Sequence, residues 1–523
     1  MGLYFNPNNE SFRSVINSNI YVDKTGLINI LNEVLGTEDK CISLSHARRF
    51  GKSQVAGMID AYYSKGSNSR ELFSKFEIAK SPDFDKYLNK YNVIHLDISS
   101  FYDYHTDDIV EAIVKTLYDE FREIYKDIDY SKSLHQVISE IYKISSFQFV
   151  IIIDEWDCVV RNLSDKKELV HKYMQFLHSL FKSEESKSYL ALAYITGILP
   201  IKKIRDESAL NNFKEYTMIT SDELTQYFGF TEDEVKKLCE NHDLDFNEMK
   251  KWYDGYIING YHMYNPNSVC DALRRKKITS YWKNTSSFET INDMILLNFD
   301  GLKDDVLNML VGRNASVNTN TFQNDLSIIE SRDEALTALI HLGYLGYDEE
   351  QRKAFIPNYE VSLAFDAALS DKRWGIISKS IRDCDRLLFA TIDREEEKVA
   401  TMVELAHEAY TSIIKYNDEN SLSCVLTMAY FTAPADYDIY RELPTGKGFA
   451  DMVFVPRKNK NRPAMIIELK YDKDVDTAIK QIKEKRYDGA IRDYKDKILL
   501  VGISYDKETK KHECKIEEFN NNV

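Results

Sequence analysis

The stretch that decides the fold of the N-terminal half is Cys41-Ile-Ser-Leu-Ser-His-Ala-Arg-Arg-Phe-Gly-Lys-Ser53, followed by Val55, Met58, Ile59 and Tyr62 at helical spacing. Cys41 to Ser45 reads as a short buried strand entered from a polar turn at Gly36, Thr37 and Glu38. Strand, loop ending Gly51-Lys52-Ser53, then helix is the context that a phosphate-binding loop requires. Loop amides and the helix N-terminus would hold phosphate oxygens, Lys52 would neutralise the outer phosphates, and the Ser53 hydroxyl would ligate magnesium. One position departs from the pattern: its first glycine falls on His46, and a bare Gly-Lys-Ser is common by chance. Arg48 and Arg49, inside the loop, either reach the phosphates or stay solvated.

Working outward, Phe149-Val-Ile-Ile-Ile-Asp-Glu-Trp-Asp157 is a continuous apolar run ending in carboxylates, as in a parallel strand covered on both faces. Ligands sit at the C-terminal ends of such strands. Asp154 is placed to hold the magnesium shell and Glu155 to orient or deprotonate the attacking water. A buried strand followed by a solvated acidic turn would look the same in isolation, but the two motifs together outweigh either alone. A strand over Val93–Asp97, helices near 107–126, 131–144 and 167–182, and a strand over Tyr189–Ile195 complete an α/β order. Thr196 ends the last strand, where it either touches the γ-phosphate or caps the turn before Gly197. ATP with Mg2+ is the cofactor expected here.

The whole chain sets bounds on these motifs. Its 523 residues suggest about three or four packing units, and 43% hydrophobic residues with 34 Tyr and 26 Phe can fill a core in each. Nine Pro and 19 Gly, with no repeat or low-complexity block, imply short structured linkers. No basic leader followed by an apolar stretch and no window of about 18 apolar residues occurs, so the expectation is a soluble, cytoplasmic protein without a membrane span. Seven scattered cysteines show neither zinc spacing nor a disulfide framework. A charge of −16 weighs against a nucleic-acid partner, yet residues 396–523 carry 21 Lys and Arg against 23 Asp and Glu, so the excess lies upstream.

In that least acidic region, Val399–Ile414 reads as an amphipathic helix, with Ala450–Val455 and Ala464–Lys470 as two short strands around the turn Arg457–Arg462. Alternation along a strand places Glu468 and Lys470 on one face, which can also receive Asp451 from the neighbouring strand. Two carboxylates so placed can bind magnesium, polarise a phosphodiester and lower the pKa of a bound water. Lys470 would position that water or stabilise charge on the phosphate. An isolated Glu-x-Lys more often decorates a sheet edge. Glu404, Glu408 and Glu442 compete as a further metal contact, and Lys480, Lys483, Lys485 and Arg486 either track a phosphate backbone or form a solvated helix face. Between the two halves, Asp333–Leu342 reads as a helix, with Gly343–Tyr347 and Ala354–Ile356 as a hairpin. That pattern fits a winged-helix-like connector, which could touch DNA but more commonly packs or transmits movement.

Tyr21-Val-Asp-Lys-Thr-Gly26, Ala47-Arg-Arg-Phe-Gly-Lys-Ser53, Asp154-Glu155, Thr196-Gly197, Leu210-Asn-Asn212, Trp252-Tyr-Asp-Gly-Tyr256 and Tyr264-Asn-Pro266 resemble the bacterial AAA-ATPase-like family commonly joined to a PD-(D/E)XK nuclease domain. That family's loop usually reads Arg-Pro where this chain has His46 and Ala47. Arg441–Asp451, Ile467–Lys470, Ala478–Ile482 and Tyr487 resemble the nuclease domain itself, with Ala450 replacing the eponymous proline. The resemblance implies an α/β chain with a P-loop ATPase-like parallel-sheet domain (1–285), a helical, winged-helix-like connector (286–395) and a restriction-endonuclease-like α/β domain (396–523). By the same resemblance Asp451, Glu468, Lys470 and Gln481, with Glu155 at the ATP site, are catalytic. Arg49, Gly51, Lys52, Ser53, Asp154 and Thr196 bind the nucleotide, and Asp451, Glu468, Ser53 and Asp154 hold metal, Mg2+ or, at the nuclease site, Mn2+. Gln481 is equally readable as an exposed helix polar residue, and Trp252–Tyr256 as an interaction surface or aromatic core. The implied function is an ATP-regulated, metal-dependent nuclease acting on nucleic acid, with DNA favoured over RNA. The competing reading is an ATPase switch or a nucleic-acid- or protein-binding module whose nuclease fold is inactive. A homo-oligomer whose neighbouring subunit supplies an arginine is also open, with Arg205 as a candidate.

Overall fold

Five short runs rich in branched and aromatic residues form the N-terminal sheet: β1 (Cys41–Ser45), β2 (Asn92–Asp97), β3 (Phe149–Asp154), β4 (Leu190–Gly197) and β5 (Lys214–Thr217). The computed structural model describes residues 2–104, 108–163, 166–201, 210–282, 291, 294, 295, 297, 299, 301–310, 312–322, 329–369, 384, 386–411, 425, 426, 429, 430, 433, 437–445, 448–456, 462–485 and 497–519. All pairings in this sheet are parallel and its order is β2-β3-β4-β1-β5. Every residue of β1, β3 and β4 is buried, as continuous apolar runs require when helices cover both faces. Alternation divides β3 between two cores. Ile151 and Ile153 pack with Leu117, Val137 and Leu177, from the helices Ile109–Ile124, Leu134–Ser145 and Lys167–Lys182. Val150 and Ile152 pack with Val55, Met58, Ile59 and Tyr62 of the helix Lys52–Tyr63. Each fully buried aliphatic side chain contributes about 1.5–3 kcal/mol, so helix and sheet hold the loop between them firmly.

The chain divides into two compact units, residues 1–305 with 314–364 and residues 306–313 with 365–523. Within the first, β6 (Phe230–Thr231), β7 (Tyr256–Ile258) and β8 (Tyr261–Tyr264) make a small antiparallel sheet of order β6-β8-β7. It is flanked by the helices Glu232–His242, opened by a Thr231/Glu234 capping box, and Pro266–Arg275, capped by Asn265. Tyr253 and Tyr256 are buried and Trp252 packs edge-on to Tyr359, so the Trp252–Tyr256 segment belongs to an aromatic core. Then come β9 (Ala315–Ser316), β10 (Gly346–Asp348) and β11 (Lys353–Phe355), antiparallel in the order β10-β11-β9, with the helix Arg332–His341. The expected helix and hairpin are both present. Every residue from Glu334 to His341 is buried, so this helix offers no exposed face to a nucleic-acid groove.

In the second unit β12 (Tyr437–Thr445), β13 (Gly448–Pro456), β14 (Ala464–Tyr471), β15 (Ile498–Asp506) and β16 (Lys511–Phe519) form a mixed sheet in sequential order. Only β14 and β15 run parallel among its pairs. One face (Met452, Ile467, Leu469, Val501) packs with Val399 and Val403 of the helix Glu396–Thr411. The other (Val453, Ile466, Leu500) packs with Ile479 and Ile482 of the helix Val475–Lys485. Among the described residues no helix is long and apolar enough to cross a membrane.

Candidate functional site

Chemistry-bearing side chains gather at two places, one in each unit. In the first, β1 ends at Ser45 and the loop reaches its helix through Gly51, whose φ of +87° is the left-handed conformation glycine adopts without steric cost. Lys52, the first helical residue, folds back so that its ammonium donates to the carbonyls of His46 (2.8 Å) and Ala47 (3.0 Å). Burial pushes the Lys52 pKa below the usual lysine range, against the opposing pull of Glu155, Asp154 and Asp157. His46, where the longer loop pattern has glycine, is fully buried and its Nε2 lies 2.7 Å from Ser221 Oγ. The Ser221 hydroxyl donates to Thr217 O; Nε2 therefore carries the proton that it donates to Ser221. Burial, with Lys52 and His341 nearby, lowers the His46 pKa to about 3 and keeps the ring neutral. Behind the loop, Gly343 has φ +83° and a Cβ there would stand 2.5 Å from Ala47 Cβ, so the end of the helix Arg332–His341 packs directly on the loop.

Strand β3 delivers Asp154, which is buried; its Oδ1 accepts from Thr196 Oγ1 on β4 and from the Glu155 backbone N–H at 3.1 Å. Glu155 follows with φ +54°, and burial raises its pKa, countered chiefly by Lys52. Arg48, Arg49, Gly51, Lys52, Ser53 and Glu155 all line one cavity of about 720 Å³, in the size range of small-molecule sites. Its other walls include Tyr21, Val22, Lys24, Phe230, Cys270 and Arg274. Asp154 and Thr196 are not among the residues that line it; Thr196 donates to Asp154, and Asp154 is joined to the wall by the Glu155 N–H that it accepts. Sequence reading did not single out Lys24 or Arg274, which lie far along the chain and meet the loop only in the fold. It also missed Arg161, whose Nε and Nη2 bond Asp157 and Glu155 at 2.8 Å each, although the i,i+4 spacing of Asp157 and Arg161 was a visible signal.

In the second unit the register Met452↔Ile467 sets Asp451 beside Glu468 on the face opposite the Val399–Val403 helix. Asp451 Oδ2 accepts the Leu469 backbone N–H at 2.7 Å. Lys470 Nζ donates to Glu468 Oε1 at 3.0 Å and to Leu469 O at 2.8 Å, and Gln481 Nε2 donates to the same Glu468 oxygen. Glu468 and Lys470 are buried, 1% and 5% exposed. Gln481 reaches them because Gly502, in register with Glu468, allows a close approach of its helix: a Cβ at Gly502 would meet Ala478 Cβ at 3.0 Å and Val475 O at 3.1 Å. The four predicted nuclease residues thus converge. Glu404 instead rides on the helix that covers the opposite face. Lys480 pairs loosely with Glu484, and Lys483 pairs with Glu517. The side chains of Glu408, Glu442 and Lys485, and all of Arg205 and Arg486, lie outside the described residues.

Elsewhere Glu232, Asp254 and His262 bring three ligand atoms within 4.8 Å of one another, but Lys250 pairs with Glu232 and faces Asp254, which marks an ion-pair network.

Residues 9–205 match the family model described as predicted AAA-ATPase, and residues 417–515 match the PD-(D/E)XK nuclease superfamily model. An uncharacterized protein in the vnfD 5′ region of Azotobacter chroococcum mcd 1 is 22% identical over 513 residues, 94% of this chain and 93% of that one. Among solved structures, replication initiator DnaA bound to AMPPCP and single-stranded DNA is 11% identical at a TM-score of 0.26, covering 71% of this chain and 93% of that one. Aeropyrum pernix ORC2, in ADPNP-ADP complexes, is 10% identical at a TM-score of 0.30, covering 70% and 97%. The chain therefore carries an AAA-ATPase-like domain over residues 9–205 and a domain of the PD-(D/E)XK nuclease superfamily over residues 417–515.

Proposed function

We propose that this protein is an ATP-regulated, metal-dependent nuclease that cleaves phosphodiester bonds, in DNA rather than RNA. The carrying observation is the convergence of Asp451, Glu468, Lys470 and Gln481 on one face of the C-terminal sheet. Asp451 and Glu468 are hard oxygen donors that the register of paired strands sets side by side, so the donor set suits Mg2+ or Mn2+. A metal held there supplies polarisation of the phosphate and a more acidic water. Gln481 fixes the Glu468 carboxylate, and Lys470 brings positive charge to the phosphate oxygens as the water–phosphorus bond forms and the bond to the leaving sugar oxygen breaks.

In the N-terminal unit the same logic assigns Arg49, Gly51, Lys52 and Ser53 to the phosphates of ATP, with Ser53 and Asp154 as the magnesium donors and Thr196 orienting Asp154. Glu155 takes the proton of the water that attacks the γ-phosphorus while the bond to the ADP oxygen breaks. The reading goes with a division into residues 1–285, 286–395 and 396–523, a cytoplasmic setting and assembly as a homo-oligomer. It is tested by cleavage of labelled DNA in Mg2+, with and without ATP, by the parent, Lys470→Ala and Lys52→Ala. Lys470→Ala is expected to abolish cleavage, and Lys52→Ala to cleave at a rate that ATP no longer changes. Cleavage by Lys470→Ala at the parental rate would remove the site assignment.

A further inference from the structure

Glu155 is held by more than its place at the end of β3. Its Oε2 accepts from Arg161 Nη2 at 2.8 Å, and the same guanidinium donates Nε to Asp157 Oδ2 at 2.8 Å. Asp157 is fully buried, and the same Oδ2 also accepts the backbone N–H groups of Ile198 (3.1 Å) and Leu199 (2.9 Å), the residues that follow β4. A chain of charge-assisted hydrogen bonds thus runs from Glu155 through Arg161 and Asp157 to the segment after Thr196. Asp157 has two backbone donors besides its arginine, so the limb that reaches Glu155 is not needed to satisfy it. Glu155 itself lines the nucleotide cavity with its backbone in the left-handed region, a conformation that costs a non-glycine residue about 1–3 kcal/mol and persists where surroundings enforce it. Arg161 is 8% exposed and does not line the cavity, so its part is indirect.

We propose that Arg161 is a positioning residue for ATP hydrolysis: it anchors one oxygen of Glu155 to the frame formed by Asp157 and the end of β4, leaving the other to receive the proton of the attacking water. The inference rests on the reading of the cavity as an ATP site. A fork with two fixed donors sets direction as well as distance, which a lysine cannot reproduce. Without the fork Glu155 can leave the line of attack, and misplacement of about 1 Å costs about a hundredfold in rate. Nucleotide affinity, set by the loop and Lys52, stays as it is.

The experiment uses the full chain and three proteins: parent, Arg161→Lys, and Arg161→Met combined with Asp157→Asn, which removes both members of the buried pair while an amide oxygen still accepts from Ile198 and Leu199. Steady-state ATP hydrolysis, equilibrium binding of a fluorescent ATP analogue and thermal melting are measured on each. The double variant is expected to lose about a hundredfold in kcat with KM and analogue binding unchanged, and Arg161→Lys to recover part of the loss. Parental hydrolysis together with an unaltered kcat in the double variant would overturn the assignment alone. A fall in analogue binding that parallels the fall in kcat would also overturn it, in favour of a structural role. A parent that binds the analogue nowhere and hydrolyses nothing would overturn the ATP reading and this assignment with it.

Discussion

Replacing Lys470 by Met leaves the Glu468 carboxylate buried on the inner face of β14 without the ammonium that lies 3.0 Å from its Oε1. Both side chains are almost wholly shielded, that of Lys470 being 7% and that of Glu468 2% exposed, so water cannot take over the lost role. Removing one member of such a pair costs about 3–5 kcal/mol, whereas removing both is often close to neutral. At about 2–4 °C per kcal/mol for a domain of this size, the unit that contains the sheet should melt about 6–20 °C lower. Magnesium binds where positive charge is then most wanted, so millimolar Mg2+ should return a larger share of the loss to Lys470→Met than it adds to the parent. Melting of the full chain with and without Mg2+ reads both effects. The double variant Lys470→Met/Glu468→Gln should melt near the parent and ignore the metal. If Lys470→Met melts within about 2 °C of the parent and Mg2+ shifts it no more than the parent, the pair is not a charge-compensated metal site.

Four further outcomes are expected. Lys52→Ala should weaken ATP binding at least about tenfold, equivalent to about 1.4 kcal/mol, in a fluorescent-analogue titration. Glu155→Gln should bind normally but hydrolyse about a hundredfold more slowly. Glu360 is buried and accepts from Ser268 Oγ (2.6 Å) and from the Tyr281 and Trp282 backbone N–H groups; burial raises its pKa from 4.5 to about 7. A carboxyl raised on folding binds more protons in the native state, so its contribution is complete below pH 4.5 and is lost as pH rises through about 7. The loss amounts to about 3 kcal/mol, and thermal melts across that window should be flatter in Glu360→Gln than in the parent. Gly502→Ala puts a methyl against Ala478 Cβ and Val475 O and must push the Gln481 helix outward. Cleavage is expected to fall about tenfold or more with a stability loss of about 1–3 kcal/mol, read by cleavage rate and melting on the same protein.

The parts of the fold that the sequence announces are those whose pattern is local. The apolar run Phe149–Asp154 and the strand-to-helix passage through Gly51 locate β3 and the loop without any knowledge of their neighbours. Alternation along β14 is enough to put Glu468 and Lys470 on one face. Edge strands hide better: β16, Lys511–Phe519, is charged along much of its length because its burial is uneven, and β12 carries Pro444, which a hydrogen-bonded interior would refuse. The site details that stayed hidden depend on partners far along the chain. Nothing near His46 indicates that its ring will be buried against Ser221, and nothing near Glu468 shows that Gly502 will let Gln481 in. Arg161 shows its bond to Asp157 by spacing, but its second bond, to Glu155, requires the turn after β3 to be known. The helix Arg332–His341 was legible as a helix, yet its burial on all sides follows from packing that its own residues do not specify.

The most direct test of the central claim is the rate at which end-labelled DNA is cut in Mg2+ by the parent and by Asp451→Asn, a substitution that keeps the acceptor for Leu469 N–H while removing the charge. Cleavage by the parent that disappears on chelation of the metal, with Asp451→Asn at least about a hundredfold slower and equally stable, is the predicted result. Equal cleavage by the two proteins, or cleavage by the parent that survives chelation, would contradict it.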